Sequence, residues 1–301
     1  MRIKTAGYLL LNKKPGYSSF ESLFAVKKAF GTGKVCHTGT LDKFAGGLLV
    51  VLVGGAVKLS SWFTGCDKRY RGTIKLGEET DTLDPEGTVI FRSEICSREA
   101  FESAMSGFTG DVLQAPPEYS ALHINGKRAY ELARRGIRAE MKKRPVTIYS
   151  AGLSAWNPPF ADIEVHCSKG TYIRSLARDI ALAAGTRAFL SALTRTAVGG
   201  FSLENAVSQQ SDLCAALRPI DRSLFALLSL PVLDLDKKAA DDFSGGKDLK
   251  RILEPYALPE EPCLSAAVFG PAGGTDGGGG FKGMIQRRDD VWKYGYVNAG
   301  C

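Results

Sequence analysis

The chain has 301 residues, 44% of them hydrophobic and 24% charged, with a formal net charge of +7. That length suggests one large domain, or a main domain with a small appendage, and enough apolar residues for a proper core. No run of 18 apolar residues offers a transmembrane helix. The apolar segment in MRIKTAGYLLLNKKPG is too short for a signal peptide. The expected location is therefore cytoplasmic, with no membrane partner.

In chain order, YLLLN reads as a short strand stopped at Pro15-Gly16. Ser18 and Glu21 form a capping-box pattern ahead of a helix, with Phe20, Leu23, Phe24 and Phe30 expected on one side. Gly31 and Gly33 end it. A loop, VCHTGTLDKFAGG, leads into an apolar strand over 48–53, and AVKLSSWF reads as a helix. DKRYRGTIKLG alternates as a strand, with Tyr70, Gly72, Ile74 and Leu76 on one face. TDTLDPEG is an acid-rich turn, and residues 97–108 read as a helix.

Residues 112–149 differ in character, with a proline-rich entry, one short helix near 128–135 and a basic block. ADIEVHC follows as a strand, with His166 on its polar face and expected to be solvated. YIRSLARDIALAAG is an amphipathic helix ending at Gly185, and FLSALTRTAVGGFSL is strand, turn and tail. Residues 228–301 hold nine basic and eleven acidic residues. With its linker-like and glycine-rich stretches, this part reads as a small β-rich domain with one flexible hairpin tip at GPAGGTDGGGG. The expected division is a main domain over 1–227, with 112–149 as an excursion from it, and the small domain over 228–301.

Charge is concentrated. Between Lys127 and Arg144 stand eight basic residues and two acidic ones, Glu131 and Glu140, so this segment alone carries +6. A solvated helix face would account for some of that, but a cluster of this size suggests a polyanion partner. The intervening residues are mostly alanine, glycine and a few aliphatics, which favours nucleic acid over a membrane surface.

Several chemistries are excluded. The seven cysteines are an odd number, with no two closer than 30 residues. They form no CxxC pair, and in a cytosolic chain they read as reduced thiols. Three histidines do not support a rich metal site. GTGK and SGGKDL lack the leading glycine of a phosphate loop, since Lys28 and Asp241 stand there. GTGKVC fails the dinucleotide pattern at Cys36, and GxSxG, HExxH and DFG are absent.

What remains is Asp42, in a loop with Gly39, Gly46 and Gly47. Such an aspartate caps its own loop, or it acts as nucleophile, base or charge stabiliser. The glycines are expected to let a bulky substrate approach the backbone. KGTYIRSLARD supplies Tyr172 and Arg174 just after a strand, and an arginine beside Asp42 would hold it ionised. Tyr70 offers a ring to stack on a base and a proton to move. Asp, Arg and two Tyr suit a planar, uncharged group attached to a polyanion.

HTGTLDKFAGGLL resembles the signature loop of the bacterial tRNA pseudouridine-55 synthase family. So do LLLNKKPGYSS, DKRYRGTIKLGEETDTLDPEG, APPEYSALHINGKRAYELARRG, CSKGTYIRSLARD and LTRTAVGGFSLENA, in the family's order across roughly residues 8–207. The resemblance implies the pseudouridine synthase fold, an α+β architecture with a mixed, largely antiparallel sheet flanked by helices. It also implies a small C-terminal β-rich domain of the PUA type. The implied reaction isomerises uridine 55 of the tRNA T-loop without cofactor or metal, by attack at C1′, addition at C6 or a glycal route. A monomer needing no protein partner is implied as well.

By the same resemblance Asp42 is the essential aspartate and Arg174 its partner, and Asp84 completes that network. Tyr70 stacks on the target base, Tyr172 and Leu193 line its pocket, and His37 fills the space it vacates. Lys14 is an expected RNA contact. The basic block, with Lys127, Arg128, Arg134, Arg135 and Arg138, is expected to grip the T-arm phosphates. Cys36 and Lys43-Phe44 depart from the family pattern and are expected to alter loop packing only. Two other readings compete: a tRNA-binding or folding module with dispensable catalysis, and a hydrolase needing a second carboxylate near Asp42.

Overall fold

A computed structural model describes residues 6–120, 122–124, 126–129, 132, 135, 141–260, 262–271 and 280–298. The chain opens with β1 (Gly7–Lys13), α1 (Leu23–Phe30), β2 (Val35–His37) and β3 (Gly46–Val53). All eight residues of β3 are buried, as a continuous apolar run covered on both faces requires. The capping box forms reciprocally: Ser18 N–H donates to Glu21 Oε2 at 2.7 Å and Glu21 N–H to Ser18 Oγ at 3.1 Å. Gly31, at φ 56°, takes the left-handed cap.

The buried stripe of α1 is Leu23, Val26 and Phe30. Phe20 and Phe24 are exposed instead of sharing the core side. Phe24 follows Leu23 by one residue, which turns it about 100° away from the stripe.

Next come a 3-10 turn over Gly54–Leu59, α2 (Ser60–Thr64), β4 (Lys68–Leu76), β5 (Glu78–Thr80), β6 (Val89–Arg92), α3 (Arg98–Ser106) and β7 (Gly110–Gln114). The basic excursion holds a small hairpin, β8 (His123–Ile124) with β9 (Lys127–Arg128). Half of the helix expected over 128–135, residues 130, 131, 133 and 134, lies outside the described residues, and Arg128 belongs to β9. The main sheet is completed by β10 (Arg144–Asn157), β11 (Phe160–Cys167), α4 (Ile173–Ala183), β12 (Ala188–Val198) and β13 (Phe201–Ser202).

Its strand order is β1-β3-β12-β4-β11-β10-β7, with β2 also on β3 and β13 on β12. The β3–β12 pair is parallel, and the other pairings are antiparallel. The architecture is therefore α+β, with a mixed, largely antiparallel sheet. Helices α3 and α4 cover one face through Phe101, Leu176 and Ile180 against Ile74, Ile148 and Ile163.

Strand β1 pairs with β3 along its whole length, from Gly7↔Val53 to Lys13↔Gly47. The other edge of β3 is shared between β2, at Val51–Val53, and β12, at Gly46 and Gly47. Residues 38–45, which join β2 to β3, leave the sheet in the gap between those two neighbours. This gap is where Asp42 stands.

The C-terminal part has α5 (Arg222–Leu227), β14 (Val232–Asp234), α6 (Lys237–Ser244), α7 (Leu249–Leu253), β15 (Ser265–Phe269), β16 (Phe281–Arg288) and β17 (Val291–Val297). The four strands form a second sheet, with α6 and α7 packed on it over Phe243, Ile252 and Ile285. Its other side shares a core with the main sheet, where Phe225 and Phe281 stack 5.1 Å apart beside Leu10, Val50 and Phe201. The hairpin tip over 272–279 lies outside the described residues. No helix among the described residues is long and apolar enough to cross a membrane.

Candidate active site

Asp42 sits on a loop that is tied down at both ends. Ser19, buried under it, donates its hydroxyl to Leu41 O at 3.0 Å and accepts from Leu41 N at 2.8 Å. Thr38 N–H donates to Val50 O, and Ala45 N–H to Asp42 O. Leu41 plugs into the core under α4, so the next residue turns out into a cleft of about 750 Å³.

Arg174 comes to the same cleft from the first turn of α4. Its side chain is only 4% exposed, and its two terminal nitrogens divide the work. Nη2 donates to Asp42 Oδ1 at 3.0 Å and to Tyr119 O at 3.0 Å. Nη1 donates to Asp84 Oδ2 at 2.9 Å and to Thr82 O at 2.9 Å. Asp84 is buried as well and accepts on its other oxygen from Thr82 Oγ1 and Glu86 N. A buried guanidinium compensated on both sides in this way is fixed in orientation. Burial raises the Asp42 pKa above the ordinary carboxylate value, and the Asp84 charge adds to the rise, while Arg174 and Lys13 pull it down.

The walls come from three strands and a helix start. Tyr70, on β4, packs its ring against the core under α4, and burial pushes its hydroxyl pKa up despite Arg195 beside it. Leu193, on β12, is buried at the cleft opposite Gly72. Tyr172 precedes α4. Gln114, at the end of β7, clamps its backbone from both directions, accepting from Tyr172 N at 2.8 Å and donating to Tyr172 O at 3.1 Å. The cleft thus brings Asp42, the fixed Arg174 cation, the phenols of Tyr70 and Tyr172 and the apolar wall of Leu193 together.

A family model described as TruB family pseudouridylate synthase (N terminal domain) matches residues 27–173. The chain is 45% identical over 227 residues to the tRNA pseudouridine synthase B of Borreliella burgdorferi (strain ZS7), covering 74% of this chain and 78% of that one. It is 40% identical over 292 residues to the protein of the same name from Haemophilus influenzae (strain ATCC 51907 / DSM 11121 / KW20 / Rd), covering 94% and 90%. The chain belongs to the TruB family of pseudouridine synthases. Its fold also superposes on a chain in the crystal structure of a Cbf5-Nop10-Gar1 complex, with TM-score 0.70 and 20% identity, over 99% of this chain and 85% of that one.

Two buried cations that hold the Asp42 loop of this TruB-family chain escape a reading for motifs. Lys13 has 0% exposure; its ammonium donates to the carbonyls of Lys14, Tyr17 and Lys43, and burial lowers its pKa to about 8, with Asp42 opposing the drop. Arg195 is 2% exposed and donates to Leu48 O at 2.8 Å, Gly39 O at 3.0 Å and Thr40 O at 3.4 Å. The signal for both was strand periodicity. Lys13 follows Leu9 and Leu11 at steps of two, and Arg195 follows Leu193 by two, so each points where its apolar predecessors point.

Other expected site residues stand apart from the cleft. Lys14 is exposed, and it is the buried Lys13 whose charge acts on Asp42. His37 ends β2 just before the cleft-lining stretch Thr38–Lys43. Burial, and Arg195 nearby, lower its pKa, so its ring is neutral at pH 7. Arg135 is exposed in the excursion, while Arg134, Arg138 and the side chains of Lys127 and Arg128 lie outside the described residues.

Two expectations are corrected. Gly46 and Gly47 are buried inside β3 and serve the chain's own packing. A Cβ on Gly47, at φ +99°, would lie 2.4 Å from Arg195 O, and one on Gly46 would lie 3.2 Å from Lys13 O. His166 is not merely solvated. It bonds through Nε2 to Asp67 and packs its ring 4.7 Å from that of Tyr149. Tyr149, on β10, and Asp67, just ahead of β4, build that contact over the strand's polar face.

Proposed function

We propose that this chain isomerises uridine 55 in the T-loop of tRNA to pseudouridine, with Asp42 as the reacting carboxylate. The observation that carries the reading is Arg174 shared between Asp42 and Asp84 at the floor of a cleft lined by Tyr70, Tyr172 and Leu193. In the reaction the C1′–N1 bond breaks and a C1′–C5 bond forms. The proton leaving C5 is balanced by one gained at N1, so no oxidant or added group is needed. Attack at C1′, addition at C6 and proton removal at C2′ all require Asp42 ionised. Arg174 holds it ionised, and the raised pKa makes it a better base and nucleophile than a free aspartate.

Tyr70 supplies a stacking face and a protonated hydroxyl at neutral pH, and Leu193 gives the uracil an apolar wall. A T-loop uridine must leave its stack to reach this floor, at a cost of a few kcal/mol. The neutral ring of His37 is suited to fill the space it vacates. Phosphate contacts fall to the basic excursion, where Arg135, Lys143 and Arg144 are exposed. The C-terminal sheet is read as a PUA-type domain beginning near residue 228. The enzyme is read as a monomer acting without a protein partner in the cytoplasm.

Tritium release from C5-tritiated uridine in an unmodified tRNA transcript tests this. Wild type releases tritium and Asp42→Asn does not, and release is lost when uridine 55 is replaced by cytidine. A wild type that binds tRNA tightly but releases none belongs to the folding-module reading instead. The hydrolase reading is disfavoured because Asp84, the acid partner it would need, is buried and engaged by Arg174.

A further inference from the structure

The segment leading from β1 into α1, tied to the Asp42 loop through Ser19, presents a surface the reaction does not use. Tyr17, Phe20 and Phe24 are each at least half exposed. The two phenylalanine rings meet edge to face, 5.4 Å apart. Lys27 Nζ lies 4.6 Å from the Phe20 centroid and 5.9 Å from that of Phe24. None of the three aromatics lines the cleft.

Their surroundings are strongly basic. Residues 6–41 contain five basic residues, of which only Lys13 is buried, and a single acid, Glu21. That acid is engaged by Ser18 N–H at 2.7 Å. Lys14, Lys28, Lys34 and Lys43 are exposed. The patch is also continuous with the site: Gly16 N–H donates to Lys43 O at 2.8 Å, and Ser19 ties the start of this segment to Leu41.

We propose that Tyr17, Phe20 and Phe24 form a stacking platform for unpaired bases of the substrate RNA outside the T-arm, with the surrounding lysines matching the backbone charge. Exposed aromatics beside lysines are the elements that hold single-stranded RNA without reading its sequence. A protein partner would bury the aromatics equally well, but it gives no reason for the exposed Lys14, Lys28, Lys34 and Lys43 and for Lys27 over the rings. This inference rests on the proposed reaction for its substrate, and its test separates the two.

The experiment measures Kd and KM of the full chain for an unmodified tRNA transcript and for an isolated T-arm hairpin. The variants are Phe20→Ala/Phe24→Ala, Phe20→Leu/Phe24→Leu and Phe20→Tyr/Phe24→Trp. Both positions are exposed, so the variants keep the fold, which circular dichroism checks. The expected result for the alanine pair is a loss of about tenfold or more in affinity for whole tRNA. Its kcat stays unchanged, its hairpin affinity stays unchanged, and its slope of log K against log salt is that of wild type. The aromatic pair restores affinity and the leucine pair does not.

Equal affinities of wild type and the alanine pair for whole tRNA overturn the proposal, as does restoration by leucine, which points to apolar docking of a protein. An equal loss on the hairpin also overturns it. A wild type that forms no pseudouridine overturns the reaction, and the binding comparison still decides the platform.

Discussion

The backbone of Arg195 passes so close to Gly47 that a Cβ on the glycine would lie 2.4 Å from the arginine's carbonyl oxygen and 2.7 Å from its nitrogen. This is where β3 and β12 run parallel, at Thr194↔Gly46 and Arg195↔Gly47. The same arginine then reaches back to hold Gly39, Thr40 and Leu48 by their carbonyls. The contact therefore sets both the strand pairing and the height of the Asp42 loop. Gly47→Ala must separate the strands and adopt a left-handed φ, and we expect a loss of about 3 kcal/mol or more. Denaturant unfolding checks it, and any folded fraction should show lower kcat with KM little changed.

Asp42 pays a folding cost for its function. Its pKa in the folded state is raised, so the fold favours the protonated carboxyl. A raised carboxyl contributes stability below its unfolded pKa and loses it as pH rises through the folded value, so at pH 7 the ionised group is destabilising. Asp42→Asn should abolish tritium release while unfolding no more easily than wild type at pH 7, with a gain on the order of 1 kcal/mol. Arg174 keeps Asp84, Thr82 O and Tyr119 O in that variant. A stability loss of several kcal/mol would contradict this account.

Asp84 should behave in the opposite way. Asp84→Ala leaves a buried guanidinium with one carboxylate, and we expect about 3–5 kcal/mol of destabilisation. Arg174 is then free to turn toward Asp42, so kcat should fall more than KM changes. Asp84→Asn keeps the acceptor toward Arg174 and should recover much of the stability. Thermal unfolding and steady-state rates on tRNA read the two effects separately.

The acid limb of the rate also follows from Asp42. Because its pKa is raised by burial, kcat/KM should fall with decreasing pH at a value above that of a free aspartate, near 3.9. Arg174→Met removes an influence that lowers the pKa, so any residual activity should lose its acid limb at still higher pH. A limb at or below the free value would mean another group controls it.

Lys13 gives a signature at alkaline pH. Its folded pKa is about 8 against a reference of 10.5, so between those values the unfolded chain binds more protons. Stability then rises with pH across that window, and the charged ammonium is a cost below pH 8. Unfolding free energies of wild type and Lys13→Met should therefore draw apart in favour of wild type by about 1–2 kcal/mol from pH 8 to 10.5. Parallel curves would show that Lys13 titrates normally.

Legible in the chain order alone were the strands and helices with clear periodicity, the chemical set Asp42, Tyr70, Tyr172 and Arg174, and the family resemblance. These depend on residue type and local spacing, which the chain order preserves. Ser18 and Glu21 capped a helix start because both partners lie three residues apart. Phe20 and Phe24 were misplaced because three phenylalanines and a leucine near one helix look alike to a count of apolar residues, while burial depends on which face meets β1 and β3. Only the tertiary structure decided that Lys13 rather than Lys14 faces Asp42, that Arg195 fastens the loop, and that Gly47 serves the sheet. Each of these depends on two segments far apart in the chain meeting at one register, and a one-residue shift in a strand reverses which side chain points inward.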